Sequence, residues 1–159
     1  MKNIKIEIKW AIFFFVMMLL WMVLEKLAGL HDANIDKHHI FTNFVAIPAI
    51  AVYVFALLDK RRNFYNGIMS YKQGFISGLI ITLIVTVLSP LTQYITSTII
   101  TPDYFKNIIE YSVKENKMTR DDAESYFNLS GYIIQTIIFT PVMGIITTAI
   151  VTILTRSKK

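Results

Sequence analysis

The chain has 159 residues, 54% of them hydrophobic, and a mean hydropathy of +0.50, which argues against a soluble domain with one core and a charged exterior. The net charge of +5 is concentrated at the flanks of apolar segments, not in an aromatic–basic groove, so nucleic acid is not an expected partner. The absence of cysteine excludes disulfides, a thiolate nucleophile and Cys-based zinc or iron–sulfur centres.

Four apolar segments dominate the chain: 10–30, 40–58, 74–100 and 129–154. At about 1.5 Å of rise per residue, each is long enough to cross a hydrocarbon core of about 30 Å. Three of them contain no charged residue. The first follows a basic stretch, as a signal peptide would. However, Glu25 and Lys26 follow its apolar run without a small-x-small cleavage site, so a retained helix is expected. These two charges sit near the outer end of the span, where snorkelling to the interface is the expected behaviour.

The first connection reads His31-Asp32-Ala33-Asn34-Ile35-Asp36-Lys37-His38-His39. Imidazole and carboxylate are ligands for zinc and related cations, making His31, Asp32, His38 and His39 weak metal candidates. Their spacing matches no recognised metal motif, and short polar connections collect such residues anyway. No metal or other cofactor is therefore expected.

The second connection is basic, with Lys60, Arg61, Arg62 and Lys72. Arg61, Arg62, Tyr71, Lys72 and Gln73 form a candidate ligand or partner site at the interface, although an anchor of Tyr and Lys beside anionic lipid is the simpler reading. Ser70, Gly74, Gly78 and Thr82 then recur every four residues. The fourth segment repeats the pattern with Gly144, Thr148 and Thr152. Such small-residue stripes let helix backbones approach closely, and contact within one chain is expected before contact between chains. Pro48, Pro90 and Pro141 interrupt three spans. Each frees a carbonyl that needs another donor, and Thr86, Ser89 and Thr140 are near enough to serve.

The third connection, 101–128, is acidic and reads as an amphipathic helical insertion. Thr101-Pro102-Asp103 has the form of a helix start. Tyr104, Phe105, Ile108, Ile109 and Val113 follow at helical spacing, and Thr119 to Asp122 resembles a second N-cap. Asn128-Leu129-Ser130 is a sequon at a membrane boundary and carries little weight. The fold class expected is an all-α integral membrane four-helix bundle, a single membrane domain over 1–159, with this insertion between spans three and four.

With four spans, Lys2, Lys5, Lys9, Lys60, Arg61, Arg62, Lys72, Arg156, Lys158 and Lys159 share one side. Lys26, Lys37, Lys106, Lys114, Lys117 and Arg120 share the other, where acids outnumber bases in the third connection. The bias of basic residues towards the cytoplasm places both termini there.

Gly67, Ile68, Tyr71, Gln73, Phe75 and Gly78, followed after the long span by Pro102 and Asp103, carry a resemblance. In these residues the chain resembles the bacterial membrane proteins grouped as domain-of-unknown-function family 4199. The resemblance implies four spans and an inner-membrane location, and it brings no reaction, substrate or ligand.

There is no Walker A loop, HExxH or GxSxG motif, and these spans hold no His, Asp or Cys for intramembrane catalysis or ion coupling. A non-catalytic accessory, scaffold or regulatory role is the expectation, with the lipid bilayer and a membrane protein or second copy as partners. The alternative is small-molecule or ion transport by a homo-oligomer, through a pore lined by Gln and by Thr82, Thr86, Thr92, Thr96, Thr136, Thr147, Thr148 and Thr152.

Overall fold

The computed structural model describes residues 4–157. Lys2, Lys158 and Lys159 of the basic flanks lie outside the described residues. Helix α1 spans Lys5–Leu27, α2 Ile35–Phe41, α3 Ala46–Asn63, α4 Tyr71–Ile95, α5 Tyr104–Lys114, α6 Arg120–Tyr126 and α7 Leu129–Thr155. A 3-10 turn, Thr42–Val45, joins α2 to α3, and a π-helical turn, Thr96–Ile100, extends α4. Four rods are long and apolar enough to cross a membrane: α1, α2 with α3, α4 with its π turn, and α7. The protein is thus an all-helical, four-span membrane bundle with α5 and α6 between spans three and four.

The rods extend beyond the apolar runs, and this changes the reading of several charges. The first begins five residues before Trp10 and takes in Glu7 and Lys9; the second runs from Ile35 to Asn63 and takes in His38, Asp59 and Lys60. Charges are therefore not confined to termini and connections, and the second rod does hold His and Asp. Helices propagate cooperatively through polar residues when tertiary contacts satisfy their side chains, so hydropathy alone truncates both ends.

Helix α4 is the centre of the bundle, touching α1, α3 and α7. Ser70 starts it with a reciprocal cap: its Oγ accepts from Gln73 N at 3.3 Å, and Gln73 Oε1 accepts from Ser70 N at 2.8 Å. Pro90 deprives the Thr86 carbonyl of its helical donor, and the Ser89 hydroxyl donates to that carbonyl at 2.9 Å. The Thr86 hydroxyl donates one turn back, to Thr82 O at 2.8 Å. Pro48 occupies the first turn of α3, where a missing N–H costs little.

Helices α4 and α7 interlock through their small residues. A Cβ on Gly78 would lie 2.3 Å from Thr148 Cγ2, and one on Gly144 would lie 2.4 Å from Thr82 Cγ2. Gly74 faces Thr152 in the same way, at 2.9 Å. Each helix thus offers notches that the other fills with threonine, and Ser70 at the end of the row is committed to capping. Since lipid is as apolar as a side chain, such packing is what holds the rods together. Ala11, Tyr53, Ala56, Leu57, Ile81, Val85 and Val151 complete the core, and Tyr53 OH meets Thr82 Oγ1 at 2.9 Å.

Helix α5 starts at Tyr104 with Asp103 at the cap, not at Thr101, whose hydroxyl turns back to Thr96 O at 3.0 Å. Thr119 caps α6 by accepting from Asp122 N at 3.2 Å. Asn128 of the sequon caps α7, accepting from Gly131 N at 2.8 Å. The apolar face of α5 packs on the protein itself: Ile108 is buried, and Phe105 meets Tyr132 edge-on at 5.1 Å.

Candidate functional site

At the end of the bundle opposite Lys5 and Thr155, termed outer from the charge bias, Glu25 points inwards and does not snorkel. Its side chain is 2% exposed, because the residues after α1 fold back over it. Gly29 makes that reversal at φ +72°, a left-handed conformation that favours glycine. The turn is closed by Leu30 N to Glu25 O at 3.0 Å and by Asn34 Nδ2 to Ala28 O at 2.9 Å. This brings His31 Nε2 to 3.1 Å from Glu25 Oε2. The first turn of α2 brings His38 Nε2 to 3.4 Å from the same oxygen. The other carboxylate oxygen accepts from Trp21 Nε1, one turn earlier on α1, at 2.5 Å.

Tyr104, the first residue of α5, covers the pair, with its ring 5.2 Å from that of His31 and 5.3 Å from that of His38. Asn107 ties α5 down by donating to the His31 carbonyl at 2.9 Å. Burial pushes the Tyr104 phenol above the usual tyrosine range, with Tyr132 and the Glu25 charge adding to the effect. Its hydroxyl therefore stays protonated and able to donate.

Below this cluster lies a cavity of 590 Å³, lined by all four rods. Phe14, Met18, Ile50, Leu88 and Phe139 are among its apolar walls. Thr92, Gln93, Thr96, Thr136 and Thr147 provide polar rungs, and His31, His38 and Tyr104 stand at its outer end. Towards the inner end the cavity gives way to the Thr82–Gly144 and Gly78–Thr148 notches.

A second polar cluster crosses the inner half. Lys60 Nζ lies 2.9 Å from Glu7 Oε1, and Ser77 Oγ donates to the same oxygen at 2.6 Å. All three are buried. The pair joins α1, α3 and α4, so Lys60 is an internal group and not part of a basic loop. Nearby, Asp59 accepts from Lys9 Nζ and, at 2.7 Å, from Trp10 Nε1.

Of the four weak metal candidates, His31 and His38 come together, whereas Asp32 and His39 are exposed and apart from them. The third member of the cluster is Glu25, which sequence reasoning had left at the interface. A signal for it was present, since an acid one turn after Trp21 inside an otherwise apolar run needs a partner. Of the interfacial candidates, Gln73 is used by the helix cap and Arg61 donates to Thr155 O at 2.9 Å. Tyr71 stacks on Phe75 at 5.8 Å, and Arg62 and Lys72 are exposed.

Residues 9–157 match the model of the family described as "Protein of unknown function (DUF4199)". The chain belongs to that family. Comparison with curated proteins and with solved structures finds no match. The match runs from Lys9 to Ser157, so the cavity and both buried ionic clusters of this DUF4199 protein fall within it, except for Glu7.

Proposed function

We propose that this protein is a non-catalytic, multi-pass protein of the bacterial cytoplasmic membrane. In this reading it binds an apolar or amphipathic small molecule within the outer half of its bundle, in an accessory or regulatory capacity. The observation that carries the reading is the 590 Å³ cavity, which lies within the size range of about 300–1,000 Å³ typical of ligand sites. Its lining is mainly apolar, with a few polar groups at defined depths. A molecule with an apolar body and a polar head fits that gradient, its head towards His31, His38 and Tyr104. Lipids and lipid-derived compounds are the nearest source of such molecules for a protein among acyl chains.

Transport would need a route past the inner half, where Gly78 packs on Thr148, Gly144 packs on Thr82, and Tyr53 hydrogen-bonds to Thr82. Thr82 and Thr148 thus serve packing, while Thr92, Thr96, Thr136 and Thr147 line the cavity. Binding without flux is the expected behaviour.

The test is native mass spectrometry of protein purified in a gentle detergent, beside an Ala49→Phe variant. Ala49 lines the cavity, and a phenyl group there occupies its volume. A small molecule retained at one per chain by the wild type and lost by the variant is the expected result. Equal retention, or none in either, would overturn the reading, as would solute flux in liposomes that Ala49→Phe leaves unchanged.

A further inference from the structure

We propose that Glu25, His31 and His38 form a binding site for a divalent transition-metal ion of the zinc class at the outer end of the bundle. Each residue offers one ligand atom, and the three atoms lie within 4.8 Å of one another. In a tetrahedral zinc site with bonds of about 2.0–2.1 Å, neighbouring ligand atoms are separated by about 3.3 Å. Glu25 Oε2 stands 3.1 Å from His31 Nε2 and 3.4 Å from His38 Nε2, so two edges of such a tetrahedron are already formed. The third edge, between the two imidazoles, lies within 4.8 Å.

The chemistry of the donors selects the ion. Two imidazoles and one carboxylate suit zinc and its first-row neighbours, whereas calcium and magnesium require mostly oxygen ligands. Part of the outer shell is also in place, on Glu25. Trp21 donates to Glu25 Oε1, which orients the carboxylate with Oε2 towards the two imidazoles. His31 is 6% exposed and its Nδ1 meets no hydrogen-bonding partner among the described residues. An ion on Nε2 leaves this N–H without an acceptor from the described residues, a role that falls to a water molecule from the cavity side. His31 and His38 line the cavity, so a fourth, exchangeable ligand would arrive from that side. The site does not depend on the cavity holding a ligand, and it is tested separately.

The experiment uses the full chain in detergent, stripped with a chelator and titrated with Zn²⁺ and with Co²⁺. One zinc per chain, bound in the low-micromolar range or tighter, is expected, together with the intense visible bands of tetrahedral cobalt. His38→Gln is the decisive variant. It keeps an amide donor for Glu25, and so preserves a purely structural cluster, but removes the imidazole. It should leave the metal-free Tm unchanged and abolish both the cobalt bands and the rise in Tm with zinc. Trp21→Phe should weaken zinc binding by about tenfold, as loss of an outer-shell partner does. His39→Ala should leave binding unchanged and serves as the folded control. Zinc binding no tighter than the high-micromolar range would overturn the proposal. Tight binding that survives in His38→Gln would overturn it equally.

Discussion

The Glu7–Lys60 pair shows how much depends on single residues inside this bundle. Each partner is almost fully buried, and Ser77 supplies a further hydrogen bond to the carboxylate. Removing one partner of such a pair leaves an uncompensated charge, which costs about 3–5 kcal/mol, whereas removing both together is often close to neutral. Lys60→Met should therefore lower the Tm in detergent sharply, and Glu7→Gln with Lys60→Met should recover most of the loss. A double variant no more stable than Lys60→Met would show that the ion pair is not what positions α1 against α3. Among the described residues, Glu25 differs from Glu7 in having no lysine or arginine partner in its cluster; two imidazoles, an indole and the Thr42 hydroxyl surround it. That difference is why one cluster reads as a structural tie and the other as a site for an added cation.

At the scale of elements, the α4–α7 contact is the most specific in the molecule. Gly78 and Gly144 do not serve backbone freedom there, because neither has an unusual φ. They serve proximity. A methyl group on Gly78 would meet not only the Thr148 Cγ2 but also its Cβ, at 3.0 Å, so rotation of the threonine cannot relieve the clash. Overpacking of this kind costs about 1–3 kcal/mol. Gly78→Ala is expected to lose stability by that amount in thermal unfolding, and Gly78→Leu by more. Thr148→Ala in the Gly78→Ala background should restore part of the loss, since it removes the two closest atoms. Absence of any rescue would indicate that the notch is not the origin of the effect.

For the whole molecule, four antiparallel rods bring three separated stretches to one end. Ser157 N donates to Met69 O at 2.9 Å, and Arg61 reaches the Thr155 carbonyl, so the second connection and the C-terminal segment are bound together. That end carries Lys5, Lys9, Arg61, Arg62, Lys72 and Arg156, while α5 and α6 occupy the opposite end. From the charge bias, the basic end is expected on the cytoplasmic side. Alkaline phosphatase fused after Ser157 should thus be inactive, and the same enzyme inserted after Asn116, in the turn between α5 and α6, should be active. The reverse pattern would invert the protein in the membrane and place the histidine cluster inside the cell.

Spans, their number and the helical character of the insertion could be read from the chain alone, because hydropathy and capping residues act locally. A run of apolar residues must cross or be buried wherever the rest of the molecule lies, and Ser70 and Thr119 cap helices through atoms three residues away. The small-residue rows were also visible, since a four-residue spacing places their members on one helical face. What pairs with each row, and where each charge goes, was settled by tertiary structure. Glu7 and Lys60 are 53 residues apart, and nothing in either neighbourhood announces the other. The Glu25–His31–His38 cluster depends on a reversal at Gly29 and on a rod that starts at Ile35, ahead of the apolar run. Linear spacing cannot report such a meeting, because the distance between side chains is set by the path of the backbone and not by their separation in sequence.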